Sequence, residues 1–380
     1  MEILALIILI VYLIAGTEAL LGARTLRFLK KTPPLEGEMF PRISLIIAAR
    51  NEKKNIETAL QSVLNQDYPN LEVMIIDDRS TDGTSAILDR IGQKYPNLKV
   101  FHVSELPEGW LGKNHALYSG AQKASGEFLL FMDADVVMES STVRRTLGYL
   151  IEKRLDHVTV FPELKLKGIW LNMVVGAFSI IFGLYTRPWK AKDPKSRHHI
   201  GIGAFNLVRA EVYRKAGTHQ KIAMRPDDDM KLAKLIKKAG FRQDCLLGKG
   251  MIFVEWYSSL SGLVHGLEKN AFASVNYHLF AVIAATVGNV LFFVWPFAGI
   301  FLSTGLAQIF FLFTVMVMAI LYLDHAHLQG LNPWYGLGFP VANLIFLYIV
   351  WNSTLKTLFR NGIEWRDTHY PLEKLRANKI

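Results

Sequence analysis

The sequence predicts an α/β domain built on a mostly parallel sheet and tied to a membrane by apolar segments at both ends. Three observations carry this expectation. Between residue 41 and about residue 262, short apolar runs alternate with amphipathic stretches, the strand–helix alternation of a parallel sheet with helices on both faces. Several of those runs stop abruptly at carboxylates, most clearly Phe128-Leu129-Leu130-Phe131-Met132 before Asp133-Ala134-Asp135. Finally, 51% of the 380 residues are hydrophobic and 12% aromatic, rich for a soluble chain and a reason to look for membrane spans.

Residues 3–21 are apolar apart from Thr17 and Glu18. No basic stretch precedes them, and no small-residue cleavage site follows before Arg24, Arg27, Lys30 and Lys31. An uncleaved anchor over residues 1–24 is therefore expected, with its basic flank and the following domain in the cytoplasm. Residues 43–49 form the first buried strand, which stops at Arg50-Asn51-Glu52. Ile56, Leu60 and Val63 then set a helix over 53–64. The second strand, 71–76, runs into Asp77-Asp78-Arg79-Ser80-Thr81-Asp82-Gly83 before a helix over 84–95. A third strand at 100–103 and a helix at 115–124 lead to the fourth strand, 126–132. Apolar residues at 230, 232, 235 and 236 give a later helix, 230–238, opened by Asp227-Asp228-Asp229.

Three further apolar segments, 279–302, 306–323 and 337–359, are about long enough to cross a bilayer, and Trp295, Trp334, Tyr335, Trp351 and Trp365 flank them as interfacial aromatics do. The run 169–184 is shorter. If it crossed, Asp133 and Asp227–Asp229 would lie on opposite membrane faces, so an interfacial helix is expected there, flanked by Lys165, Lys167, Arg187 and Lys190. The tail carries Arg360, Arg366, Lys374, Arg376 and Lys379, whereas the loop 324–336 has no Lys or Arg. Charge bias places the tail inside and that loop outside, so one C-terminal segment fails to span. The segment 279–302, interrupted by Pro296 and Gly299, is the candidate, as a re-entrant or tilted hairpin. The domains expected are an anchor (1–24), a cytoplasmic catalytic domain (40–275) with an interfacial helix near 168–186, a membrane region (276–360) and a basic tail (361–380), making a multi-pass cell-membrane protein.

The net charge is +10, but the basic residues cluster beside apolar segments, which fits anionic lipid headgroups and argues against a nucleic-acid partner. A single cysteine, Cys245, excludes an internal disulfide framework.

In an open α/β sheet, ligands bind at the carboxyl ends of the strands. Glu52, Asp77, Asp78, Asp133 and Asp135 should thus converge on one edge. Read alone, Asp133-Ala134-Asp135 fits a turn after a strand as well as a cation site. Acid-tipped strands repeated along one domain favour the site.

Taken together, Ala48-Ala49-Arg50-Asn51-Glu52, Asp77-Asp78-Arg79-Ser80-Thr81-Asp82-Gly83 and Asp133-Ala134-Asp135 resemble the motifs of family 2 glycosyltransferases, whose nucleotide-sugar domain is of the GT-A type. Gln66-Asp67-Tyr68-Pro69, Gly112-Lys113-Asn114-His115-Ala116-Leu117 and Asp227-Asp228-Asp229-Met230-Lys231-Leu232 continue the match in order, the last resembling the family's Glu-Asp-x-x-Leu signature. Among membrane members, the ceramide glucosyltransferase-like, hopanoid-associated and carotenoid glycosyltransferases are most similar, and they share a tail resembling Glu364-Trp365-Arg366-Asp367-Thr368-His369-Tyr370.

The resemblance implies Arg50, Glu52 and Asp78 around the base and ribose of a nucleotide-sugar donor, with Asp77 either sharing that role or capping its loop through Ser80 and Thr81. It implies Mg²⁺ or Mn²⁺ on Asp133 and Asp135, with Asp135 the direct ligand and Asp133 also facing the donor. Lys113 is either a point charge for the pyrophosphate or a solvated lysine at a helix start. Asp227, Asp228 and Asp229 suit the helix dipole as a cap, yet their mutual repulsion also suits a proton acceptor. Alignment with the signature puts the base at Asp229, beside Asp228. Glycines in His198-His199-Ile200-Gly201-Ile202-Gly203 allow close backbone approach. The Gln/Arg-x-x-Arg-Trp motif of processive synthases has no counterpart around residues 265–272, which argues for transfer of one sugar. Lys269 or Arg366 would supply the missing charge or anchor to the membrane.

The expected function is inverting, metal-dependent transfer of one sugar, with UDP-glucose as donor, to a hydroxyl of a membrane lipid. A polyprenyl-phosphate sugar transferase, a processive polysaccharide synthase and a receptor with a degenerate domain stand as alternatives.

Overall fold

A computed structural model describes residues 1–37 and 39–380. The chain divides into two compact units: a helical one (1–25, 166–187 and 257–363) and a sheet-based one (26–165, 188–256 and 364–380).

In chain order the strands are β1 (Arg27–Phe28), β2 (Ile43–Ala49), β3 (Leu71–Asp78), β4 (Leu98–Val103), β5 (Phe128–Asp133), β6 (Val137–Met138), β7 (His157–Phe161), β8 (Glu163–Leu164), β9 (Asn206–Arg209), β10 (Gln243–Leu247), β11 (Ile252–Val254), β12 (Gly362–Trp365) and β13 (Thr368–Pro371). The central sheet has the order β1-β10-β7-β9-β5-β2-β3-β4. Every neighbouring pair is parallel except those of β9, which runs against β5 and β7. All strands but β9 therefore point the same way, as the alternation predicts. β6, β11 and β8 form a small second sheet, and β12 pairs with β13.

Both faces of the central sheet are covered, which is why its strands read as continuous apolar runs rather than alternating ones. Leu45, Ile47, Val73, Ile75, Leu130 and Met132 belong to one core. Their sequence neighbours Ile46, Met74, Ile76, Leu129 and Phe131 belong to the other, following the two-residue period of a strand. β3 extends past the expected residue 76 to Asp78, and the helix expected at 115–124 begins at Gly112.

Register is pinned at the amino ends of the strands by Glu72, which is buried on β3. It accepts from the Ser44 hydroxyl on β2, from the Ser125 N–H and hydroxyl just before β5 (2.8 Å each), and from Arg42 and Lys99 (3.1 and 3.2 Å). Burial opposes its charge, but these donors outweigh it and hold its pKa down at about 2. Gly126 makes this possible, since a Cβ there would stand 2.6 Å from the Ser44 nitrogen. The three strands so aligned finish level: Ala49 is opposite Asp77, and Ala48 is opposite Asp133.

In the helical unit, Glu2–Ala23, Ile169–Lys190, Leu279–Leu302, Leu306–Gln329 and Pro333–Phe359 are long and apolar enough to cross a membrane. Leu279–Leu302 is not the hairpin expected of it. It is a continuous helix whose π-helical turn, Val290–Val294, immediately precedes Trp295 and Pro296, the kind of widened turn that accommodates a proline's missing N–H. The helices Glu2–Ala23 and Leu306–Gln329 run side by side with their carboxyl ends together. Gly16 lies against Leu321, and Arg24 pairs with Asp324 at 3.7 Å. The loop after Asp324 thus starts beside the basic flank of the first helix; Asp324 is a partner for that flank, a relation that a Lys/Arg count does not register.

Substituting Glu72 by Ala is expected to cost about 2–3 kcal/mol, the scale of hydrogen bonds to a charged group, read as a lower unfolding midpoint at neutral pH. Because its folded pKa is depressed, the contribution of Glu72 is fully present above pH 4.5 and is lost as the pH falls through about 2. The difference between wild type and variant should shrink over that window.

Candidate active site

The carboxyl edge of the sheet gathers the acidic residues, and the chain uses them in two groups. The first lies at the ends of β2 and β3. The loops that follow these strands are laced together: the Asn51 N–H donates to the Ser80 hydroxyl, the Thr81 N–H to the Asn51 side chain, the Glu52 N–H to Thr84 Oγ1, and the Lys53 N–H to Asp82. Asp78 receives Arg79 through two bonds, 2.8 and 3.1 Å, with Arg50 at 3.6 Å. Gly112, the first residue of the following helix, packs so closely that a Cβ would collide with Asp78 Oδ2. Asp77 faces the other way, as the alternation of a strand requires. Its oxygens accept from Ser80, Ser85 and His102 at 2.5–3.3 Å. Burial opposes its charge, yet these bonds keep its pKa low, so Asp77 is engaged as the cap of its loop.

The second group lies across β5. Lys113 bridges Asp133 at 2.8 Å and Asp228 at 3.2 Å with its side chain only 22% exposed, and so is not a solvated lysine. Burial works against its charge, but Asp133, Asp228 and Asp229 more than compensate and raise its pKa. Asp228 and Asp229 lie in the first turn of Asp228–Lys238. Asp227 is drawn off by Arg225 (2.9 and 3.0 Å) and Lys231 (3.2 Å). The repulsion expected among three aspartates is therefore confined to two. Asp229 is raised to about pKa 7, first by burial and then by Asp228.

Between Asp133 and Asp229 runs the glycine loop. The Gly203 N–H donates to Asp229 Oδ2 (2.8 Å), and the Gly203 carbonyl accepts from the Asp133 N–H (3.1 Å). A Cβ at Gly203 would stand 2.5 Å from Asp133 Oδ2, and one at Gly201 would strike the Asp229 carbonyl. His199 is held neutral, its pKa pushed to about 4 by burial, and Trp110 packs on His115 and Tyr118. Asp135 makes no salt bridge among the described residues. Burial, then Asp133 and Glu52, raise its pKa to about 7, and Glu52 is raised chiefly by burial, with Asp133 contributing. Glu52, Asp133 and Asp135 thus share one field.

Carboxylates at one sheet edge, a lysine paired between two carboxylates and a half-buried carboxylate at a helix start make a constellation suited to binding a polyanion and accepting a proton. Residues 44–217 match the family described as "Glycosyl transferase family 2". The chain carries a family 2 glycosyltransferase domain. Over 149 residues it is 35% identical to the beta-monoglucosyldiacylglycerol synthase of Synechocystis sp., covering 36% of this chain but only 31% of that enzyme. With the 4,4'-diaponeurosporenoate glycosyltransferase of Staphylococcus aureus (strain bovine RF122 / ET3-1) it shares 23% identity over 372 residues, 93% of this chain and 92% of the relative. The fold is also that of the mannosyltransferase PcManGT from Pyrobaculum calidifontis, solved with GDP-Man and Mn2+: TM-score 0.57 at 18% identity, covering 95% of this chain and 99% of that one. The architecture is GT-A.

Sequence reasoning missed several residues of this site. Arg79 stood inside a quoted motif, yet its pairing with Asp78 depends on a left-handed backbone (φ 59°) that no periodicity announces. Tyr370, whose hydroxyl accepts from the Gly112 N–H at 3.3 Å, lies 258 residues away. The doubled role of the Gly203 peptide was also missed, although the glycine spacing signalled close approach.

Gly203→Ala is expected to displace Asp133 and reduce turnover at least about 100-fold, the scale set by a misplacement near 1 Å, while the variant still folds. Measuring kcat beside the unfolding midpoint checks this; normal turnover would contradict it.

Proposed function

We propose that the protein moves one sugar from a nucleotide-diphosphate sugar to a hydroxyl group of a membrane lipid, with inversion at the anomeric carbon. The observation that carries this reading is Asp229: a carboxylate raised to about pKa 7, aimed by the Gly203 N–H and separated from Asp133 by one peptide. A base poised near the working pH is what proton removal from an alcohol asks for. The membrane side of the reading is supported by the apolar helices and by relatives named for a diacylglycerol lipid and a carotenoid acid. UDP-glucose is the donor to test first, since the first of those names specifies a glucosyl group.

Asp133 and Asp135 suit a divalent cation. They are hard oxygen donors beside a third carboxylate, Glu52, and Asp135 carries the cost of that crowding in its raised pKa, which a cation would relieve. Among the described residues no group of three His, Cys, Asp or Glu is placed to hold a metal alone. Mg²⁺ and Mn²⁺ sites of this kind are instead completed by donor phosphates and water. When bound, such a cation supplies Lewis-acid neutralisation of the leaving diphosphate.

The chain's own residues do the rest. Arg50, Asp78 and Glu52 hold the nucleoside. Lys113 keeps Asp133 and Asp228 in place and faces the diphosphate. Asp229 accepts the acceptor hydroxyl's proton as that oxygen bonds to the anomeric carbon and the bond from this carbon to the diphosphate oxygen breaks. One displacement gives a β-linked product from an α-linked donor.

Chain connectivity suggests how the membrane is crossed. The helix Ile169–Thr186 leaves the sheet-based unit and returns to it, so it does not cross as a single pass. Leu306–Gln329 ends beside Arg24, where the chain passes to that unit, and Phe339–Phe359 leads back to it again. The segment that fails to cross is then Phe339–Phe359 rather than Leu279–Leu302. Single cysteines at Ser303 and at Leu337, in a Cys245→Ser background, test this with an impermeant thiol reagent. The expectation is a cysteine at 303 labelled from outside the cell and one at 337 protected; the reverse pattern, or labelling of both from one face, overturns it.

Purified full-length protein incubated with nucleotide sugars and native lipid extracts should yield a β-glycolipid, and an α-anomer would refute the mechanism. Asp229→Asn should lower turnover by about 10²–10⁴ with donor binding retained, the usual share of a general base. In the wild type, Asp229 must be ionised to act, so kcat should rise with pH and level off above about 7.

A further inference from the structure

The tail returns to the site. Residues 364–380 belong to the sheet-based unit, and their hairpin, β12–β13, places its turn against the nucleotide end of the strand edge. Arg366 Nη2 lies 2.5 Å from Glu52 Oε1, with Nη1 3.4 Å from the Asn51 carbonyl. Four residues on, the Tyr370 hydroxyl accepts from the Gly112 N–H and interacts with Arg79. Lys374 pairs with Glu108 at 2.5 Å, and Asn378 accepts from the Met224 N–H (3.0 Å) while donating to the Lys221 carbonyl (2.8 Å).

Backbone strain concentrates in the same place. Arg366 and Asp367 both have positive φ (50° and 61°), as do Asn51 (57°) and Arg79 (59°) in the loops they face. A type I′ turn needs positive φ at both central positions and favours Asn and Gly there; an arginine at the first of them is a costly choice for a mere connection. Non-glycine residues held in this region persist where the surroundings over-determine them, commonly at ligand clamps.

Resting on the proposed donor chemistry, we infer that the tail hairpin is a working wall of the nucleotide site and that Arg366 binds the donor's phosphate groups. In the free protein Glu52 holds the guanidinium in readiness. When a nucleoside diphosphate arrives, Glu52 turns to the ribose and the planar fork of Arg366 transfers to phosphate oxygens, for which it is geometrically matched. The 41% exposure of the Arg366 side chain leaves it free to make that exchange. Tyr370, anchored on Gly112, fixes the hairpin's position and serves as a positioning residue.

The test is equilibrium binding of UDP and of uridine, which lacks phosphate, to the full-length protein in detergent with Mn²⁺ present. Arg366→Ala should weaken UDP binding by about 10-fold or more, as loss of a charged hydrogen bond does, and leave uridine binding unchanged. Arg366→Lys should recover part of the loss. UDP affinity equal to wild type in Arg366→Ala, or equal losses for UDP and uridine, would overturn the inference while leaving the donor reading standing. Should Arg366→Ala unfold, Arg366→Lys decides alone, with weakened UDP and unchanged uridine binding expected of a bidentate contact. Wild-type protein that binds neither UDP nor GDP would remove the donor reading itself, and this inference with it.

Discussion

The site depends on Lys113. A sheet whose strands end level delivers carboxylates from several loops to one edge, and without a counter-charge their crowding would push the loops apart or protonate some of them. Lys113 stands at the second residue of the helix Gly112–Lys123 and joins Asp133 on β5 to Asp228 on the helix Asp228–Lys238. Its ammonium is thus shared by two elements that no backbone hydrogen-bond ladder connects. A buried charge so paired is a weak source of net stability. Its value here is positional, since removing it would leave Asp133 and Asp228 without the cation they share.

That single cation also explains the division of labour among the acids. Asp227 is neutralised by Arg225 and Lys231, Asp228 by Lys113, and Asp77 is consumed by its own loop. Asp135 and Asp229 lack such a close ion-pair partner among the salt bridges of the site, and the pKa of each rises to about 7. Perturbed groups stand out because their neighbours have been satisfied, a pattern typical of functional sites.

Much of this arrangement was legible in the residues. Apolar runs ending at Asp77, Asp78, Asp133 and Asp135 foretold the strands and the edge at which they finish, because a doubly covered parallel sheet imposes both features. The glycines at 201 and 203 foretold close approach. What stayed hidden was non-local or directional. Periodicity alone leaves open whether Asp77 or Asp78 faces the ligand when the strand's last residues are themselves in doubt. Arg366 meets Glu52 across 314 residues, and no local pattern encodes that. A Lys/Arg count of the membrane flanks also leaves pairing out: Asp324, lying in a stretch without Lys or Arg, is the partner of Arg24.

One consequence concerns the peptide of Gly203. Its N–H addresses Asp229 and its carbonyl addresses the amide of Asp133, so one residue spaces the start of the helix Asp228–Lys238 from the end of β5. The loop works as a caliper. Sequence change elsewhere in the chain can leave that gauge untouched, so under the proposed reading one reaction centre would serve acceptors of unrelated chemistry.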